Sequence, residues 1–203
     1  MSRSLVILLH GVGAGGADML SLAEGWRSAL AETEFTAPDA PFAFDQGPTG
    51  RQWFSVAGVH THNRSGRVVA AREAFDRTLR AVIEAAGFAD RLGRVVLVGF
   101  SQGSIMALDA VASGRWPVAG IVAFSGRLST PEPLTPAPNA RILLIHGGAD
   151  GVIPASESAH AEERLAHAGL SVSRQELPGL GHWISPDGAA LAGQFLAGLI
   201  GQA

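Results

Sequence analysis

Short, mostly apolar runs separated by longer stretches of helical period constrain this chain more than any other feature. Residues 5–9, 95–98, 118–124 and 141–145 are runs of this kind. A run that is apolar at every position, as 5–9 is, suits a strand buried on both faces of a sheet. Between the runs the spacing changes to that of amphipathic helices. Met19, Leu22, Trp26 and Ala29 or Leu30 share one face of a predicted helix over 17–31. Val68, Ala71, Phe75, Leu79, Val82 and Ile83 do the same over 67–86, where Glu73–Arg77 and Asp76–Arg80 are spaced as i,i+4 pairs. A helix is predicted from Gln102 to about Ala112, and another between Pro154 and Gly169. A weak strand is placed at 34–37 and a last strand at 172–177. Ser185-Pro186 caps a final helix carrying Leu191, Phe195, Leu199 and Ile200. Alternation of this sort predicts the α/β class, a mainly parallel sheet flanked by helices.

No internal repeat or linker interrupts the pattern, so residues 1–203 read as one domain. Residues 38–65 carry no clean period and read as one long loop, a length that in a compact domain points to function. Apolar residues at 47% and charged residues at 16% fit a globular chain. The formal charge of −3, with no run of one sign, argues against a nucleic-acid groove or an anionic-membrane patch. The chain has no cysteine, which excludes disulfides, thiolate metal sites and a Cys nucleophile. No apolar stretch reaches the length of a membrane span. The run at 5–9 is too short for the core of a signal peptide, and no Ala-x-Ala stands directly after it. The expected location is the cytoplasm.

Gly99-x-Ser101-x-Gly103 is the pattern that holds a serine on a sharp strand-to-helix turn, its hydroxyl raised above the sheet. In so glycine-rich a chain the pattern arises by chance roughly 0.26 times, so its context must carry it. That context is an apolar strand leading in and a helix leading out. The bland reading is a serine in an ordinary turn.

A serine hydroxyl needs a base. His10 and His146 each end a strand, His60 and His62 lie in the long loop, and His160 and His167 fall on a predicted helix. His182 lies in Gly179-Leu-Gly181-His182-Trp183, between the last strand and the last helix, and fits the order nucleophile, acid, histidine. Only Asp109 and Asp150 are aspartates between Ser101 and His182. Asp109 is predicted within a helix, away from the sheet edge. Asp150 follows a strand in a turn that can aim a carboxylate at an imidazole, fixing its tautomer. Its bland alternative is to cap the helix opened by Pro154. Backbone N–H groups of Gln102 and Val12 are the candidate oxyanion donors.

Gly11-x-Gly13-x-x-Gly16 competes for the same loop, since it matches the dinucleotide-binding fingerprint. That site also wants an acidic residue at the end of the second strand. Glu32 and Glu34 precede or begin that strand instead, and His10 is an awkward neighbour for the turn.

His10-Gly11-Val12-Gly13, Gly99-Phe-Ser-Gln-Gly103, His146-Gly-x-x-Asp150-x-x-Ile153-Pro154 and Gly181-His182 occur in order. With them the chain resembles the phospholipase/carboxylesterase family, which contains small bacterial carboxylesterases and acyl-protein thioesterases. Trp53-Phe54 is similar to that family's Trp-Phe-Asp segment. Ser55 stands where the family often has Asp, and Ser104 where a further Gly is usual. The resemblance implies an α/β-hydrolase fold without a large lid domain, needing neither metal nor cofactor. It implies Ser101, Asp150 and His182 as catalytic residues, Val12 and Gln102 as the oxyanion hole, and a small-molecule ester or thioester as partner. A carboxylesterase for short-to-medium acyl groups is the leading expectation, with a thioesterase or lysophospholipase as the alternative. Trp53, Phe54, Ile153 and Trp183 are expected to wall the acyl pocket. A homodimer is compatible with the family. A non-catalytic binding protein of this fold is the reading from another class, and it has no need of the full set of motifs.

Overall fold

The computed structural model describes residues 3–201. Six parallel strands form its main sheet in the order β2-β1-β5-β6-β7-β8. They are β1 (Ser4–Leu9), β2 (Thr33–Thr36), β5 (Val95–Phe100), β6 (Gly120–Phe124), β7 (Arg141–Gly147) and β8 (Ser171–Leu177). A two-stranded antiparallel ribbon, β3 (Phe42–Ala43) with β4 (Arg51–Gln52), lies within the segment the sequence read as one loop. The helices are α1 (Gly16–Trp26), α2 (Arg64–Ala85), α3 (Gln102–Ala112), α4 (Ser156–His167) and α5 (Pro186–Ile200). Among the described residues no helix is long and apolar enough to cross a membrane.

All six residues of β1 are buried, and the strand's period of two divides them between two cores. Leu5, Ile7 and Leu9 pack with α2, α3 and α4, against Val68, Phe75, Met106 and Leu165. Val6 and Leu8 face α1 and α5, against Met19, Trp26, Ala192 and Leu196. A strand covered on both faces has no solvent side to alternate toward, which is why the sequence shows an unbroken apolar run. This sheet and its flanking helices place the chain in the α/β class.

Helix α1 ends at Trp26, short of the expected residue 31. The chain then turns, with Leu30 N–H donating to the Trp26 carbonyl, and tucks Leu30 into the core before β2 begins. Helix α2 starts three residues earlier than its apolar period required. Glu73–Arg77 forms its i,i+4 pair at 3.2 Å, but Asp76 turns away from Arg80 to Arg115 and the Trp116 indole. At the last helix Ser185 caps as the sequence predicts, its hydroxyl accepting from Gly188 N–H.

Because β1 sends its chain outward to β2 while β5 resumes on its other side, strand order reverses between β1 and β5. A crevice at the carboxyl ends of the strands is expected at such a point. Ser101 follows β5, and Val12 lies in the loop after β1.

Candidate active site

Ser101 sits at φ 51° and ψ −113°, a backbone conformation unusual for a residue with a side chain. Holding it there costs about 1–3 kcal/mol, which the flanking packing must impose. The glycines on either side explain how. A Cβ on Gly99 would lie 2.4 Å from the Ser104 nitrogen, and one on Gly103 would lie 2.1 Å from the Leu9 carbonyl oxygen. Without side chains at both positions, α3 can begin hard against β5 and β1. Ser104 is fully buried, its hydroxyl donating to the Phe124 carbonyl at 2.8 Å.

The hydroxyl of Ser101 lies 3.0 Å from His182 Nε2, and His182 Nδ1 lies 2.7 Å from Asp150 Oδ2. The tautomer that makes both bonds carries its proton on Nδ1 and turns an Nε2 lone pair toward the serine. The Phe100 ring lies against the imidazole at 5.0 Å between centroids. Asp150 Oδ1 accepts from the N–H groups of Val152 and Ile153, each at 2.9 Å. One oxygen therefore fixes the turn at Val152 and Ile153 while the other faces the histidine; the helix itself begins later, at Ser156 after Ala155, and takes no cap from this carboxylate. Burial pushes the Asp150 carboxyl up, but the bonds from His182, Ile153 and Val152 more than offset this and hold it below the usual carboxylate range.

The two strand-ending histidines are occupied elsewhere. His10 Nδ1 donates to the Gly11 carbonyl and Nε2 accepts from Ala40 N–H. Burial keeps this imidazole below its ordinary pKa. His146 Nε2 donates to the Ile153 carbonyl at 2.8 Å, leaving Nδ1 to accept from the Ser158 hydroxyl. His146 Nε2 also lies 3.3 Å from Asp150 Oδ2, so that oxygen is flanked by two imidazoles. His60, His62, His160 and His167 are exposed.

A cleft of about 190 Å³ opens beside Ser101. Val12 and Gln102 line it with the serine, as do Phe54 and Ile153. The other two expected pocket walls lie elsewhere. Trp53 is buried in the core, packed edge-on to Phe75, with its indole N–H donating to the His10 carbonyl. Its large apolar ring is spent on holding the 38–65 segment to the sheet. Trp183 is 55% exposed and is not part of the cleft wall. Gln102 adds a role that sequence reasoning missed. Its side-chain carbonyl accepts from Trp53 N–H and its amide donates to the Phe54 carbonyl, both at 2.7 Å, clamping the segment to the serine turn. Arg64 and Arg127 in the cleft were also missed. Arg127 follows β6 at the carboxyl edge of the sheet, and that position was the available signal.

The glycine-rich loop is not arranged for a dinucleotide. Gly16 N–H donates to the Asp39 carboxylate and Gly15 N–H to Asp18, at 2.7 and 2.8 Å. Carboxylates fill the helix N-terminus where a pyrophosphate would bind.

A serine, an imidazole and a carboxylate bonded in series at the carboxyl edge of a mainly parallel sheet are features of the α/β-hydrolase class. Comparison with known proteins makes the class specific. The phospholipase/carboxylesterase family model matches residues 1–200, and the chain belongs to that family. Esterase YpfH of Escherichia coli (strain K12) is 33% identical, over 90% of this chain and 77% of that protein. Acyl-protein thioesterase 1 of Neurospora crassa is 28% identical, over 87% of this chain and 79% of that one. The crystal structure of esterase PE8 superposes with a TM-score of 0.87 at 34% identity, covering 98% of this chain and 93% of the other.

Proposed function

We propose that this protein is a serine carboxylesterase that hydrolyses short-to-medium acyl esters, with Ser101, His182 and Asp150 as its catalytic triad, all within one domain. The unbroken series of bonds from Asp150 through His182 to the Ser101 hydroxyl carries the reading. Ser101 Oγ attacks the ester carbonyl while His182 Nε2 takes its proton. Asp150 keeps the imidazole in the Nδ1–H tautomer and stabilises the imidazolium without accepting the proton. Backbone N–H groups of Val12 and Gln102 receive the oxyanion. His182 then protonates the departing alcohol, activates a water, and the acyl-enzyme is hydrolysed to the acid. Phe54 and Ile153 offer apolar walls to the acyl group.

A cleft of about 190 Å³ is below the roughly 300–1,000 Å³ of sites for drug-sized ligands, which favours short acyl chains over the long chain of a lysophospholipid. The thioesterase alternative is supported by the likeness to acyl-protein thioesterase 1. Hydrolysis of p-nitrophenyl esters from acetate to laurate, by the parent protein and by Ser101→Ala, tests the assignment. Loss of activity in Ser101→Ala, with an unchanged circular dichroism spectrum, is expected, together with a rate maximum at short chains. Equal rates in the two proteins would remove Ser101 from the mechanism.

A further inference from the structure

The cleft beside Ser101 contains a charge that simple ester hydrolysis does not use. The Arg127 side chain is only 14% exposed, and its Nε and Nη1 are buried without a hydrogen-bond partner among the described residues. Its one ion-pair contact among the described residues is long, 3.7 Å from Nη1 to Glu157 Oε1. That same oxygen accepts from Arg64 Nη1 at 2.9 Å, so two guanidinium groups depend on one carboxylate. Asp150 is the other nearby anion, and its oxygens are held by His182 and by the Val152 and Ile153 N–H groups. Burial and the neighbouring Arg64 both disfavour the charged form of Arg127, while Glu157 and Asp150 answer only part of it. A buried cation left short of partners is costly, and such groups are rare enough to need a reason. Here both arginines line the cleft that holds the nucleophile.

We propose that Arg127, with Arg64 beside it, receives a carboxylate carried by the substrate, so that the preferred esters are short ones bearing a second, anionic group. This rests on the assignment of Ser101 as nucleophile. Phe54, Val56, Ile105 and Ile153 line the cleft along with Ser101 and the arginines, which offers apolar walls to the methylenes joining the scissile carbonyl to the carboxylate. Arginine suits this task because its charge persists and its planar donors match a carboxylate. Hydrolysis needs no further reactant. The acyl C–O bond breaks, the water oxygen joins the acyl carbon, and a half-ester yields a dicarboxylate and an alcohol.

Three esters test the proposal through ratios of kcat/KM. Monoethyl glutarate places the carboxylate on the acyl side, the butyric ester of glycolic acid places it on the alcohol side, and ethyl pentanoate is the neutral reference. The parent protein is expected to prefer one of the charged esters by roughly 10- to 100-fold, the worth of a hydrogen bond to a charged group. In Arg127→Met the ratio is expected to fall toward one, and in Arg127→Lys to recover in part. Glutarate is expected to inhibit hydrolysis of the neutral ester by the parent protein more strongly than pentanoate does, a measurement that needs no variant to fold. Overturning results are a parent protein without charged-ester preference, a preference that Arg127→Met leaves intact, or equal inhibition by the two acids. Failure of the nucleophile assignment looks different: ethyl pentanoate would then be hydrolysed equally by the parent and Ser101→Ala.

Discussion

Asp109 and Asp150 are both buried aspartates, yet their surroundings set them to different work. Asp109 lies within α3 and is answered by full positive charges. Arg72 donates to both its oxygens at 2.8 and 2.9 Å, Arg115 reaches Oδ2 at 2.8 Å, and the Thr130 hydroxyl donates to Oδ1 at 2.9 Å. These bonds tie α2, α3 and the segment after β6 together. Asp150 is answered instead by two backbone amides and the imidazole of His182, with a second imidazole, His146, 3.3 Å away, and none of these carries a fixed charge. A carboxylate already neutralised by arginines has little left to offer a developing imidazolium. One facing neutral donors in a dry site keeps its field for that moment. On the proposed assignment of Asp150 to the triad, the difference between the two carboxylates lies in the charge of their partners rather than in their burial.

The sharpest way to break this contrast is Asp150→Asn. The shape is kept, but the amide no longer favours the Nδ1–H tautomer of His182, and kcat is expected to fall by about 10⁴. Steady-state kinetics on a short p-nitrophenyl ester, with circular dichroism to verify the fold, measures it. A loss under tenfold would mean that Asp150 only caps its turn.

Asp109→Asn is expected to give the opposite result, with activity per folded molecule at the parent level and stability reduced. Arg72 and Arg115 would be left facing a neutral group. Removing one partner of a buried ion pair costs about 3–5 kcal/mol, and the partial exposure of both arginines places this case near 3 kcal/mol. Tm should fall by roughly 6–12 °C in a chain of this size. Burial pushes the Asp109 carboxyl up, but the bonds from Arg72 and Thr130 and the charge of Arg115 more than offset it, so its folded pKa lies below the usual value. A depressed carboxyl pKa adds stability above the unfolded value of about 3.9, and that stability is lost as pH falls from about 5 through the folded pKa. Chemical denaturation between pH 3 and 6 should show a flatter acid limb in Asp109→Asn. An unchanged limb would mean that the arginines are not what holds this carboxylate.

Much of the contrast was legible in the sequence. The sequence pattern puts Asp109 within a helix away from the sheet edge and Asp150 in the turn after a strand, which is where both lie. Strand runs and motif order depend on local pattern, so they read well. What did not read depends on partners distant in the chain. Asp76 was matched to Arg80 by helical spacing, but Arg115 and Trp116, some forty residues on, win it because their contacts are better shielded than an exposed i,i+4 pair. Trp53 was expected to face the pocket. Loop composition carries no period, so nothing showed that its ring points into the core and not into the cleft. Arg127 escaped notice for a similar reason: a single arginine after a strand looks like any solvated charge until the elements burying it are placed.

The smallest expected effect probes the Asp109 side of the comparison at one bond. Thr130→Val keeps the side-chain shape and removes the hydroxyl that donates to Asp109 Oδ1. That oxygen still accepts from Arg72 Nη2 at 2.8 Å, so the carboxylate is not left bare. Bonds to charged groups are worth about 1.5–3 kcal/mol, but here a second donor remains and the new methyl is buried. A loss of about 1 kcal/mol follows, a Tm shift of roughly 2–4 °C, with kcat untouched. If Thr130→Val instead cost as much as Asp109→Asn, the neutral hydroxyl and not the arginine charge would be holding the carboxylate. Asp109 and Asp150 would then differ less in kind than the distances around them imply.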